Sequence, residues 1–198
     1  MSLTKVKKSH RVYVSLEKEQ VAMLIRFNVK NFLSFSANEE GKSEEFSMIA
    51  GKVRNKNEHT YDATKIKILK FAAVYGANAA GKSNLVRAID FMRHTVVHGL
   101  PNGYSDKYCK ADIKNKELAS YFEIEIKLGR QYYAYGYEVV LSTGQFQSEW
   151  LIELTSDNRE KVIFERDIVN GVYKLDGCLK AKEVYEKINN YAEDIQDD

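Results

Sequence analysis

The chain has 198 residues, 44% of them hydrophobic and 29% charged, with a formal net charge of +2. A mean hydropathy of −0.46, and the lack of any run of about 20 apolar residues, exclude a helical membrane span, and the apolar content excludes a disordered polar chain. About one folded domain is expected.

Residues 1–22 carry five Lys/Arg against Glu17 and Glu19, a local +3 that leaves the rest of the chain at −1. A body of neutral charge shows no basic stripe, so direct nucleic-acid binding by it is not supported. The basic start is followed by no apolar signal core, so a cytoplasmic location is expected. Cys109 and Cys178 lie far apart with no CxxC or His spacing beside either, which excludes a zinc knuckle and gives no disulfide framework.

Lys18-Glu19 is compatible with an AAG-GAG ribosome-binding sequence shortly before Met23, so residues 1–22 are read as an upstream leader. Strands are expected at Leu24–Val29 and Glu45–Ile49, and a polar loop from Gly51 to Lys65. Ile66 to Tyr75 then reads as a central strand covered on both faces, because Ile68, Leu69, Phe71, Ala72, Ala73 and Val74 form a nearly continuous apolar run. Leu85, Ala88, Ile89, Met92 and Val96 recur at helical spacing up to about His98. Gly99, Pro101 and Gly103 open a loop running through Lys116.

From Phe122 the period changes to 2. Five antiparallel strands are expected, separated by turns at Gly129-Arg130, Ser142–Gln145, Ser156–Glu160 and Asn170-Gly171. A last helix, Leu179 to Ile195, would carry Val184, Ile188, Tyr191 and Ile195 on one stripe. The expected domains are a core at 23–117, an antiparallel insertion at 118–176 and the helix at 177–198.

Between the expected strand and helix lies Gly76-Ala77-Asn78-Ala79-Ala80-Gly81-Lys82-Ser83, a full match to GxxxxGK[ST]. Glycines at 76 and 81 let the backbone turn tightly, so that main-chain N–H groups and the positive end of the helix face a dense negative charge. Small Ala77, Ala79 and Ala80 leave that nest open. Lys82 is expected on the β- and γ-phosphates of ATP, and the Ser83 hydroxyl on the Mg²⁺ that bridges them.

Arg26-Phe27-Asn28-Val29-Lys30-Asn31-Phe32-Leu33-Ser34-Phe35, followed by GANAAGKSN with Asn84 after the serine, resembles the N-terminal half of ABC-type ATPase heads of the RecF, SMC and OLD kind. More closely, the chain is similar to bacterial AAA-type ATP-binding proteins of abortive-infection and anti-phage systems. Phe122-Glu123-Ile124, Tyr135-Gly136-Tyr137, Ser148-Glu149-Trp150-Leu151 and Phe164-Glu165-Arg166 resemble that family's β insertion. The resemblance implies an α/β P-loop NTPase core of the ABC/SMC-head type with an antiparallel β-meander insertion. It also implies Ser34, and more weakly Asn31, as phosphate contacts, with Asn78 and Asn84 better placed.

Hydrolysis in this clan needs an apolar strand ending in Asp-Glu, a signature loop and a switch histidine. The sequence contains no Asp-Glu dipeptide. The expectation is therefore a core cut before its Walker B half, which binds ATP but does not turn it over. The missing half would be supplied in cis or in trans, and complete heads would form a homodimer with a nuclease effector. A RecF/SMC-like DNA-maintenance ATPase and a non-catalytic ATP-dependent interaction module are the alternatives.

Leu141-Ser142-Thr143-Gly144-Gln145 differs by one residue from the LSGGQ signature of ABC transporters. The alternation of Phe146, Ser148, Trp150 and Ile152 after it reads as a strand, so the segment is expected to be a hairpin turn. His94 and His98, four apart, read as a solvated helix face without a third ligand. The tyrosine-rich strand reads as packing rather than base stacking.

Overall fold

The computed structural model describes residues 22–36, 42–51, 57–63, 66–78, 80–155 and 160–175. Period-2 alternation builds most of them into one antiparallel sheet. β1 (Ala22–Lys30) alternates buried Phe27 and Val29 with half-buried Arg26, Asn28 and Lys30. β2 (Glu44–Ser47) lies on one side of β1 and β5 (Ser120–Leu128) on the other, and β6 (Gln131–Val140), β7 (Gln145–Leu154), β8 (Glu160–Asp167) and β9 (Val172–Leu175) follow as a meander. The sheet has seven strands in the order β2-β1-β5-β6-β7-β8-β9. The five expected strands are β5 to β9. The sheet is nevertheless continuous with β1, so the 117/118 boundary drawn from sequence falls within one layer.

Helix α1 (Lys82–His98) packs on one face of this sheet. Ala88, Phe91 and Met92 meet Phe27, Val29, Phe32, Phe122, Tyr137, Val139 and Leu141 in the main core. Aromatic rings fill its centre, with Phe32 4.8 Å from Phe91 and 5.1 Å from Phe122 between centroids. Such offset and tilted pairs add to the burial of apolar area.

β3 (Thr60–Ala63) and β4 (Ile66–Leu69) form a separate antiparallel hairpin. It is joined to the end of the sheet through Met48, whose N–H donates to Ile25 O at 2.8 Å and whose carbonyl accepts from Leu69 N at 2.7 Å. A register shift between Leu24 and Arg26 makes this possible. The bulge leaves Leu24 on the main core while Ile25 joins Ala63 and Ile68 in a second cluster.

Two expectations need correction. The polar loop at 51–65 contains β3. The central strand at 66–75 ends at Leu69, and residues 71–77 carry no ladder among the described residues. Phe71, Val74 and Tyr75 are 61%, 49% and 90% exposed. A strand buried on both faces needs neighbours on both edges, and the antiparallel sheet of the described residues gives this segment none. The expected helix at 179–195 lies outside the described residues.

Candidate nucleotide site

The glycine-rich loop runs from the exposed segment 71–77 into α1. Gly81 sits immediately before the first helical residue with φ 86°, the left-handed region that a glycine enters without a Cβ penalty. A Cβ there would also lie 3.2 Å from Ser34 Oγ. The N–H groups of Asn84 and Leu85 close on Gly81 O at 2.9 and 3.1 Å. Those of the helix start have no residue four positions back within the helix to bond to. No acidic residue stands in the first turn of α1, so no carboxylate there offsets the partial positive charge that favours an anion at that end.

Lys82 curls back across the loop. Its ammonium donates to Gly76 O at 2.8 Å and to Ala77 O at 2.6 Å, which draws the start and end of the octapeptide together. Ala80 N–H bonds Ala77 O at 3.2 Å inside the same bend. A Cβ on Gly76 would stand 3.3 Å from Ala80 Cβ. Ala77, Asn78, Ala80 and Ser83 are exposed along the loop. Ala79 lies outside the described residues.

Ser34 belongs to the tight turn after β1, closed by Phe32 N–H on Phe35 O at 3.0 Å and Phe35 N–H on Phe32 O at 2.8 Å. Its hydroxyl accepts from Asn84 Nδ2 at 2.9 Å. Two sequence candidates 50 residues apart thus meet beside Gly81, and the serine keeps its own proton to donate. Sequence reasoning missed Arg87, whose Nη1 donates to Asn84 Oδ1 at 3.4 Å from one turn further along α1. Its i,i+3 spacing from Asn84 was the available signal.

Asn31 is not brought to the loop. It is 2% exposed and gives its amide to the backbone of Asn115 and Leu118 at 2.8 and 2.9 Å, while Oδ1 accepts from Cys109 N at 3.0 Å. Leu141–Gly144 is the β6–β7 turn, as its flanking alternation implied. Tyr137 is fully buried in the core, and burial pushes its phenol well above the ordinary tyrosine range. Tyr135 donates to Glu149 Oε1 at 2.7 Å. His94 and His98 stand 5.1 Å apart between ring centroids. No group of three or more metal-ligating side chains occurs among the described residues, and none of their helices is long and apolar enough to cross a membrane.

The family model described as "AAA domain, putative AbiEii toxin, Type IV TA system" matches residues 71–178, more than half of the chain. The chain belongs to this family. The matched span opens at the exposed segment and takes in the loop, α1 and the meander from β5 to β9. An AAA-type domain is a P-loop ATPase fold with a nucleotide-binding function, served by ATP with Mg²⁺ as a rule. The donor set fits that chemistry: a lysine ammonium, an exposed serine hydroxyl and a helix start free of carboxylates. A search of curated proteins finds no match.

Proposed function

We propose that Gly76–Ser83 binds Mg-ATP, with Ser34 and Asn84 beside it, in the N-terminal part of an ABC/SMC-like ATPase of an anti-phage or abortive-infection system. The observation that carries the reading is the closure of Lys82 over Gly76 and Ala77 ahead of left-handed Gly81, at the start of a helix with no acidic first turn. Main-chain N–H groups of Gly76, Ala77, Asn78, Ala79, Ala80 and Gly81 would surround the phosphates, with Lys82 against the terminal pair. Ser83 would hold the magnesium, which supplies charge neutralisation when bound.

Ser34, oriented by Asn84, would donate to a phosphate oxygen. Hydrolysis would require a carboxylate pair supplied by a further segment in cis or in trans. The exposed Phe71, Val74 and Tyr75, with no strand beside them among the described residues, offer an apolar surface on which such a segment would pack. Paired heads, a nuclease effector and a cytoplasmic setting complete the proposal.

Fluorescent-ATP titration of wild type and Lys82→Ala tests it. The variant should lose at least about tenfold in affinity, the equivalent of roughly 1.4 kcal/mol, with an unchanged circular dichroism spectrum. Equal affinities would remove the site assignment.

A further inference from the structure

A second cleft lies beside the loop, on the flank of α1. It has a volume of about 390 Å³ and is walled by Leu33 of the β1 turn, by Arg87, Asp90, Phe91 and His94 of the helix, and by Lys107 of the connector after it. That volume lies in the range of sites for small organic ligands. Its apolar wall is fixed: Phe91 belongs to the main core, and Leu33 is held by its N–H on Lys107 O at 2.7 Å. Leu33 also takes φ 50°, a conformation rare for a branched side chain and common around ligand sites.

The polar groups of the cleft are three nitrogen bases and one acid. Asp90 is engaged by Arg93, with Nη2 at 2.9 Å from its carboxylate. Arg87 donates to one amide oxygen, Asn84 Oδ1, at 3.4 Å, a long bond that leaves most of its five N–H donors for other work. Lys107 pairs with exposed Asp106 at 3.2 Å, and His94 uses one ring nitrogen on Gly99 O at 3.0 Å. A planar guanidinium, an ammonium and an imidazole around a small apolar wall suit a doubly charged oxyanion better than a neutral ligand.

We infer that this cleft is a second anion site, distinct from the glycine-rich loop, for a phosphate monoester with a compact apolar body. It is coupled to the loop through Arg87. The guanidinium bonds Asn84, and Asn84 bonds Ser34 beside Gly81. A phosphate that draws Arg87 into the cleft releases Asn84 Oδ1 and loosens the hold on Ser34. The coupling rests on the nucleotide-binding reading, whereas the cleft itself does not.

Calorimetric titration of the whole chain with phenyl phosphate tests the site. Wild type and Lys82→Ala should bind it with similar affinity, while Arg87→Gln and the double variant Arg87→Gln/Lys107→Gln should lose about tenfold or more. All three side chains lie outside the main core, and matching melting curves would verify that the variants are folded. No binding by wild type, loss in Lys82→Ala, or no loss in the double variant would each overturn the inference. Saturating phenyl phosphate should also shift fluorescent-ATP affinity in wild type and leave Arg87→Gln unmoved; an equal shift in both would refute the coupling. Failure of every form to bind the ATP analogue would instead defeat the nucleotide reading, with the cleft still judged by its own titration.

Discussion

Asn31 shows how one side chain can hold two distant parts of the chain together. Its carboxamide bonds the backbone at Cys109, Asn115 and Leu118, and its own carbonyl accepts from Ser120 Oγ. Asn115 returns a bond to Cys109 O at 3.0 Å. The residue adopts φ 53°, which asparagine tolerates better than most side chains. Asn31→Ala should therefore cost about 2–4 kcal/mol in urea unfolding, since it orphans buried N–H and C=O groups. Asn31→Gly should cost about 1 kcal/mol less, because it loses the same bonds without the left-handed penalty. Equal destabilisation by the two would show that backbone conformation contributes nothing there. The sequence placed Asn31 in the right turn but with the wrong task. Its partners arrive from 78 to 89 positions away, and no local pattern encodes that meeting. Ser34, three residues on, came forward as a candidate through the family resemblance, and the Asn84 amide that bonds it arrives from 50 positions away.

The strands were the most legible elements, since alternation reports directly on which face is covered. What alternation did not reveal was pairing across the sheet, and Glu125 shows the consequence. β5 sets it beside Arg26 of β1, whose Nη1 donates to its carboxylate at 3.4 Å. Burial nevertheless outweighs the ion pair. Desolvation, helped by neighbouring Glu123 and Glu45, holds the Glu125 carboxyl above the ordinary glutamate range against the opposing pull of Arg26. A carboxyl whose folded pKa is raised favours the native state when protonated. Its contribution is complete below the ordinary glutamate pKa and fades as pH climbs through the raised value. Stability measured by urea unfolding from pH 4 to pH 7 should thus contain a falling component. Glu125→Gln should remove that component while keeping an acceptor for Arg26, and an identical pH profile in the variant would contradict the assignment. Close cross-strand fits were equally invisible in the sequence. A Cβ on Gly136 would fall 2.3 Å from Trp150 Cζ2, so that glycine makes room for the indole that donates to Glu123 at 3.0 Å.

At the scale of the molecule, the described residues pack α1 on one face of the seven-stranded sheet around β1, β5 and β6 and leave the approach to the loop bare. The apolar run at 66–75 is covered at Ile68 and bare from Phe71 onward, because hydrophobicity records what a segment needs to bury and not whether the cover is at hand. Phe71, Val74 and Tyr75 are exposed in a row, and Val86, Val96 and Val97 of α1 are 68%, 53% and 61% exposed. Backbone without a ladder beside exposed apolar side chains offers unpaired groups to another strand. The isolated chain should accordingly bind a hydrophobic dye and associate as its concentration rises. Val74→Asp/Tyr75→Asp should lower the dye signal several-fold and shift light scattering towards the single chain. Neither residue belongs to a packed cluster, so the urea midpoint should stay where it is. If dye binding is unchanged while the midpoint falls, those side chains are part of the buried structure in solution, and the segment has found its cover within this chain.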